Sequence, residues 1–150
     1  MMKVIQATED HFREFLLNAR PIDLEEVEAG SGEPFESHIS SLVPNIHNIK
    51  TLIDAETGEV LGIGGLEDLG SPTVGGIWLL MTKAIETRKI EFLRFSKKFL
   101  KEVFAHYKYL TNAVYKRNKL HIDWLTWIGV KWVKETEDFS IFILERKEGE

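Results

Sequence analysis

The 150-residue sequence contains no cysteine and no long apolar segment. The lack of cysteine excludes disulfide bonds, thiolate nucleophiles and cysteine-type zinc sites. No apolar run approaches the roughly 18 residues that a membrane-spanning helix needs, and the first residues lack the apolar core of a signal peptide. The five histidines show no metal-ligand spacing. These absences predict a metal-free protein of the cytosol, or one delivered from a cytosol.

Acidic residues moderately outnumber basic residues in this chain. The chain has 19 Lys and Arg against 24 Asp and Glu, a net charge of −5, which argues against a general binder of polyanions. Residues 23–36 carry six carboxylates and no Lys or Arg, whereas residues 83–101 carry seven cations and two carboxylates. The two stretches are either solvated helix faces or an acidic edge and a phosphate-facing basic edge. Nucleic-acid binding is a minor option, because the aromatic residues among the lysines fit a buried stripe.

The first half of the chain predicts a short strand, helices and a hairpin. Thr8 has the side chain of an N-cap, and apolar residues follow it at helical spacing as far as Pro21. Residues 22–29 predict a short acidic helix that is broken at 30–32, and a second short helix is expected around 35–42. Strands at 49–54 and 59–66 flank a turn at 55–58 and predict a hairpin.

The second half alternates strands and helices. Strands are predicted at 76–81, 109–115, 130–134 and 139–144, with a long amphipathic helix at 86–107 and a helix from Asn118 to Ile128 that Gly129 stops. The predicted order is β-α-α-β-β-β-α-β-α-β-β. It indicates an α/β fold (α+β, mixed sheet) in a single domain over 1–150. The segment Gly62-Ile63-Gly64-Gly65 is interpreted as close strand packing, since a dinucleotide site needs a third glycine and a helix after it.

The stretch from Asn118 to Val130 carries a motif. Its Asn, recurrent apolar residues and terminal Gly resemble the closing motif of the GNAT N-acetyltransferases. The run Asn-x-x-His-Ile-x-aromatic-Leu-x-x-Ile-Gly is still more similar to a group of phage proteins with a GNAT-like fold, the internal (core) proteins of short-tailed phages. The likeness covers roughly residues 76–146. It implies the GNAT-like acyl-CoA N-acyltransferase fold.

The resemblance also implies a cofactor. Acetyl-CoA would lie between the strands near 76–82 and 109–115, with its pyrophosphate at the N-terminus of the long helix. The cofactor contacts implied are Leu80, Met81, Thr82, Lys83, Arg88, Lys89 and Asn118. The family's phosphate loop contains glycine, but residues 83–89 contain none, and Glu86 brings a negative charge there. Glu86 would either oppose a bound anion or offset the nearby cations as a local ion pair.

Catalytic residues are equally open to two interpretations. The family usually has a Tyr seven residues after the motif's Asn, and that position is Leu125. Tyr115 is the nearest substitute for the acid, unless it is a structural aromatic. Glu67 and the adjacent Asp68 are the plausible carboxylates for a general base, unless they are ordinary loop acids.

Two hypotheses follow from these residues. The first is a phage GNAT-fold protein with lost or weak acetyl transfer and a structural or interaction role, inside the virion or in the host cytosol, with a phage or host protein as partner. The second is an active acetyl-CoA-dependent N-acetyltransferase that acts on an unknown amine. Three tryptophans are either an exposed contact patch or core aromatics: Trp124, Trp127 and Trp132.

Overall fold

Seven strands form a mixed sheet in the computed structural model, which describes residues 1–146. Their spatial order is β1-β2-β3-β4-β5-β7-β6. The β4–β5 pair is parallel, whereas β1–β2, β2–β3, β5–β7 and β6–β7 are antiparallel. The predicted mixed sheet is confirmed. The strands are β1 Met2–Gln6, β2 Ile49–Asp54, β3 Val60–Asp68, β4 Val74–Met81, β5 Tyr109–Tyr115, β6 Lys131–Glu135 and β7 Phe139–Glu145.

Five α-helices and two 3-10 helices connect the strands. Three α-helices lie between β1 and β2 and match the three predicted helical segments, although the predicted order contains only two helices there. The α-helices are α1 Glu9–Asn18, α2 Pro21–Ser31, α3 Phe35–Leu42, α4 Lys89–Val103 and α5 Lys119–Ile128, and the 3-10 helices are Val43–Asn48 and Lys83–Thr87. None of the helices within residues 1–146 is long and apolar enough to cross a bilayer.

The chain divides into two compact units. The first contains Met1–Gly65 and Leu79–Phe92, and the second contains Leu66–Trp78 and the chain from Leu93 onward. Strands β3 and β4 and helix α4 therefore each contribute to both units. The single domain expected from the sequence stays a prediction.

Helix starts in the first unit follow local signals. The Thr8 hydroxyl accepts the His11 N–H, and the His11 ring accepts the Thr8 N–H, which is a capping box and confirms the predicted N-cap. Pro21 was expected to close the first helix, but it is the first residue of α2, where its missing N–H costs no hydrogen bond. Helix α2 also continues through Gly30 to Ser31 instead of ending at residue 29.

The β2–β3 hairpin is confirmed. Its strands pair in antiparallel register, and the Asp54 carboxylate accepts the N–H groups of Glu56 and Thr57 in the turn. A Cβ on Gly62 would lie 2.7 Å from the Met81 sulfur and 2.8 Å from the Leu80 carbonyl oxygen. Only glycine permits that approach, so the interpretation of close strand packing is confirmed at Gly62.

The second unit buries the apolar stripe of α4. Leu100, Val103 and Phe104 pack with Leu110 of β5 and Leu144 of β7. Helix α4 is shorter than the predicted 86–107. It begins at Lys89 because residues before it form the separate 3-10 helix, and it ends at Val103.

Helix α5 matches its prediction. Asn118 is the N-cap residue, and Gly129 ends the helix with a φ of 95°, donating its N–H to the Leu125 and Thr126 carbonyls. That left-handed conformation suits glycine because it has no Cβ. Trp124 packs against the core of this unit, whereas Trp127 and Trp132 are 45% and 41% exposed. Trp124 is therefore a core aromatic, whereas a contact patch that includes Trp127 and Trp132 stays a prediction.

Candidate functional site

Six of the seven predicted cofactor residues lie in the first unit. Leu80 and Met81 end β4, Thr82 is the N-cap residue of the following 3-10 helix, and Lys83 is in that helix. Arg88 separates the 3-10 helix from α4, which Lys89 begins. The set therefore runs through one continuous turn from strand to helix.

Both main-chain groups of Met81 are bonded within the chain. Its N–H donates to Asp23 Oδ2 at 2.5 Å, and its carbonyl oxygen accepts the Arg20 N–H at 3.1 Å. A single antiparallel bridge between Ala19 and Thr82 accompanies these bonds. The connection between α1 and α2 thus lies along the end of β4, which the sequence did not predict.

The polar groups of Thr82, on the other side of the end of β4, are also hydrogen-bonded. Successive residues of a strand direct their N–H groups to opposite sides, and the Thr82 N–H donates to the Leu61 carbonyl at 2.9 Å. The Thr82 hydroxyl donates to the Val60 carbonyl at 3.1 Å, and Thr82 is buried. The N–H groups of Met81 and Thr82, which a cofactor would use, therefore already have acceptors on both sides of the strand.

A buried ion pair holds this connection in place. Asp23 is 0% exposed, and its Oδ1 accepts from Arg20 Nη1 at 2.8 Å. Arg20 Nε also donates to Glu86 Oε1 at 3.1 Å. Glu86 therefore does pair with a cation, but its partner is 66 residues away and not a cation of its own turn. The only signal in the sequence for Arg20 and Asp23 was their i, i+3 spacing across the start of α2.

Arg88 lies between two carboxylates. Its Nη1 is 2.8 Å from Asp54 Oδ2, and its Nη2 is 2.8 Å from Glu91 Oε1. Hydrogen bonds from the N–H groups of Thr57 and Glu56, helped by Arg88, lower the pKa of Asp54 to about 2. Bonding to Arg88 also lowers the pKa of Glu91, and Glu91 and Asp54 together raise the pKa of Arg88.

The guanidinium of Arg88 is therefore neutralised within the chain. Lys83 and Lys89 differ from it, since both are exposed and neither forms an ion pair with another residue of 1–146. A phosphate group could reach these two lysines, whereas it would compete with carboxylates for Arg88.

The remaining predicted site residues lie in the second unit. Glu67 is exposed, and its Oε2 is 3.3 Å from the position of a Cβ on Gly76, which pairs with Thr111 of β5. Tyr115 ends β5 four residues after Thr111, roughly 13 Å along the strand at 3.3 Å per residue. Tyr115 is buried, and its ring centroid lies 5.5 Å from that of Phe139. The predicted base, in β3, thus lies near the paired residues Gly76 and Thr111, whereas the predicted acid lies at the end of β5.

Asn118 is fully buried at the start of α5. Its Nδ2 lies 3.2 Å from Nδ1 of buried His121, and its main chain accepts the Ile122 N–H and donates to the Tyr115 carbonyl. The motif's Asn and His therefore contact each other. They join the last residue of β5 to the first turn of α5.

Asn112 is a residue that the sequence analysis missed. The parallel ladder between β4 and β5 has three pairs, the last joining Gly76 and Thr111. Just beyond it, Asn112 Nδ2 donates to the Ile77 carbonyl at 2.8 Å, and Asn112 Oδ1 accepts the Ala113 N–H at 2.7 Å. One side-chain amide thus bonds both strands where their backbone pairing ends.

A family model covers more than half of this chain. Residues 50–137 match the family described as "Bacteriophage T7, probable scaffold protein Gp13". The chain belongs to the phage T7 Gp13 family. The matched range contains the Asn118-to-Gly129 motif that indicated a phage group, so the sequence resemblance is confirmed. A search for curated proteins of similar sequence found no match.

Solved structures show what fold this Gp13-family chain adopts. A domain from Methanocaldococcus jannaschii superimposes with a TM-score of 0.72 at 18% identity, covering 97% of this chain and 99% of the other. A GNAT-family acetyltransferase from Bacillus anthracis gives a TM-score of 0.72 at 8% identity, covering 96% and 94%. Salmonella typhimurium yncA, solved with its cofactor acetyl-CoA, gives 0.62 at 10% identity, covering 98% and 95%. The fold of the Gp13-family chain is that of the GNAT acetyltransferases, as predicted.

Proposed function

We propose that this protein is a phage structural or interaction protein that retains the GNAT-like fold and carries out little or no acetyl transfer. Its place would be the virion interior or the host cytosol, with a phage or host protein as partner. The family's description as a scaffold protein supports a structural role. The bonding of the Met81 main chain is the observation that carries the loss of acetyl transfer.

The argument from Met81 concerns competition for hydrogen bonds. A cofactor that uses this strand end must replace the Asp23 carboxylate on the Met81 N–H. Charge-assisted hydrogen bonds are roughly twice as strong as neutral ones, so a neutral amide or thioester oxygen is the weaker acceptor. Displacing Asp23 would also remove the buried carboxylate from Arg20, whose other acidic contact, Glu86, is 52% exposed.

The charges of the turn support the same proposal. Arg88 is engaged by Asp54 and Glu91, and Glu86 adds a third carboxylate near the start of α4. A diphosphate brings further negative charge to this place. Lys83 and Lys89 alone would have to compensate for it, and both are exposed to solvent screening.

Acetyl-CoA binding is the test of the proposal. We expect isothermal titration to show no binding below 1 mM, with Salmonella typhimurium yncA as a positive control. In thermal unfolding, a ligand with a dissociation constant of 10 µM would add about 2.7 kcal/mol at 1 mM. For a chain of this size that corresponds to a midpoint increase of roughly 5–11 °C. An increase of that size would refute the loss of cofactor binding.

The active enzyme is the second candidate, and the fold shared with acetyl-CoA-bound yncA is the observation that favours it. In that case Lys83, Arg88 and Lys89 would bind phosphates, Tyr115 would protonate the thiolate, and Glu67 would accept the amine proton. Turnover of acetyl-CoA with an amine panel, together with a large loss in Tyr115→Phe, would establish it. We expect no thiol release above the background rate.

A further inference from the structure

A groove of about 500 Å³ lies within the second unit, and neither the fold nor the proposed loss of catalysis accounts for it. Four cations line it on the exposed side of α4, and Glu145 is the one carboxylate among its lining residues. Its floor is apolar and its edge is aromatic. The four cations are Arg94, Lys97, Lys98 and Lys101, and the apolar lining consists of Leu100, Phe104, Trp127, Ile128 and Leu144.

Within residues 1–146, the cations of the groove form no ion pairs. By contrast, Arg13, Arg20 and Arg88 each bond two carboxylates. Lys97 instead lies over the Trp127 ring, with its Nζ 4.5 Å from the ring centroid. Four unneutralised cations on one helix face repel each other, and an anionic partner would remove that cost.

We propose that a second copy of this chain occupies the groove with its acidic segment, residues 23–36. That segment carries five glutamates in addition to the buried Asp23, and it contains no Lys or Arg. Glu28, Glu33 and Glu36 are exposed. The groove and the segment are therefore opposite in charge, and each copy carries both.

The apolar floor favours a protein segment over a nucleic acid. A phosphate backbone would offer no apolar group to exposed Trp127 and half-buried Ile128, and Glu145 would repel it. The acidic segment offers apolar side chains beside its carboxylates, since Leu24 and Val27 of α2 are only half-buried. Apolar anchors within a rim of complementary charge are typical of protein interfaces.

The contact is heterologous, because the groove of one copy meets a different surface of the next. Two copies joined by one such contact keep one groove and one segment unused, so further copies can add head to tail into rings or filaments, whereas two reciprocal contacts close a dimer. Each of these assemblies suits a protein that organises a larger structure. The inference rests on the proposed structural role, but it does not depend on whether acetyl-CoA binds.

Charge reversal in two places tests the proposal. Lys97→Glu with Lys98→Glu reverses the groove, and Glu28→Lys with Glu33→Lys reverses the segment. The matched controls reverse exposed residues outside both surfaces: Lys131→Glu with Lys134→Glu, and Glu56→Lys with Glu137→Lys. Circular dichroism verifies that each variant is folded, and sedimentation equilibrium measures association between 10 µM and 1 mM chain in 50 mM and 500 mM NaCl.

We expect the unmodified protein and both controls to associate in 50 mM NaCl, and to dissociate in part in 500 mM NaCl. Each test pair should lower the association constant at least tenfold, and an equimolar mixture of the two reversed variants should restore it. A monomeric unmodified protein at 1 mM, or a groove variant that associates normally, would overturn the proposal. So would a mixture that stays monomeric, or tight binding of a 20-base-pair DNA in place of self-association. Acetyl-CoA titration of the same proteins tests the proposed function separately.

Discussion

Replacing Asp23 by Asn is the sharpest test of how the end of β4 is held. The carboxylate is 0% exposed and accepts from two groups, Arg20 Nη1 at 2.8 Å and the Met81 N–H at 2.5 Å. The amide that replaces it has one acceptor oxygen, so its NH2 group must face one of the two donors.

The expected cost follows from these contacts. Removing one partner of a buried ion pair costs about 3–5 kcal/mol. Arg20 keeps its bond to Glu86, which is half exposed, so we expect the lower end, about 3 kcal/mol. For a chain of this length, that loss corresponds to a decrease of roughly 6–12 °C in the unfolding midpoint.

Urea unfolding monitored by circular dichroism measures this change. Asp10→Asn is the matched control, because Asp10 is 91% exposed and its contact with Arg13 is long, at 3.4 Å. We expect that control to change the free energy of unfolding by less than about 0.5 kcal/mol. If Asp23→Asn cost less than 1 kcal/mol, the Asp23 bonds would not hold the end of β4, and the case against cofactor binding would lose its foundation.

Three other substitutions give separate readouts. The folded-state pKa of Asp54 is depressed to about 2, so the stabilisation by its carboxylate is present above its unfolded pKa near 4 and is lost as pH falls through 2. Asp54→Asn should therefore make the unfolding midpoint depend less on pH between pH 4 and pH 2. Asn112→Ala should cost about 0.5–1.5 kcal/mol in urea unfolding, since it removes a partly buried hydrogen bond to the Ile77 carbonyl and an exposed one from the Ala113 N–H; an unchanged midpoint would contradict this. Gly129→Ala should cost about 1–2 kcal/mol, because φ is 95° there, and a neutral result would show that the helix end relaxes.

Features that depend on neighbouring residues could be predicted from the sequence. The Thr8 N-cap needs only a hydroxyl that reaches the main-chain N–H three residues later, and the end of α5 needs only a glycine after its last apolar residue. The 109–115 strand was also predicted with its observed bounds. In each case the physical cause lies within a few residues of its effect.

Features that depend on distant residues could not be predicted. Asp23 looked like one more exposed acid of an acidic segment, and nothing near it shows that its oxygen meets the Met81 N–H 58 residues later. Arg88 likewise had the position of a phosphate ligand in the sequence. Its ion pair with Asp54 could not be predicted, because Asp54 belongs to the distant hairpin. The 3-10 helix before α4 was missed since its sequence continues the helical pattern without a break.

The hydrogen bonds of Asn112 and Asp23 to the main chain of β4 have a practical consequence for engineering. Each is a hydrogen-bond partner attached to the same chain, present at an effective concentration of about millimolar or more. A designer who wished to install a ligand at either place would gain more from removing the resident side chain and restabilising its neighbours than from adding affinity to the newcomer.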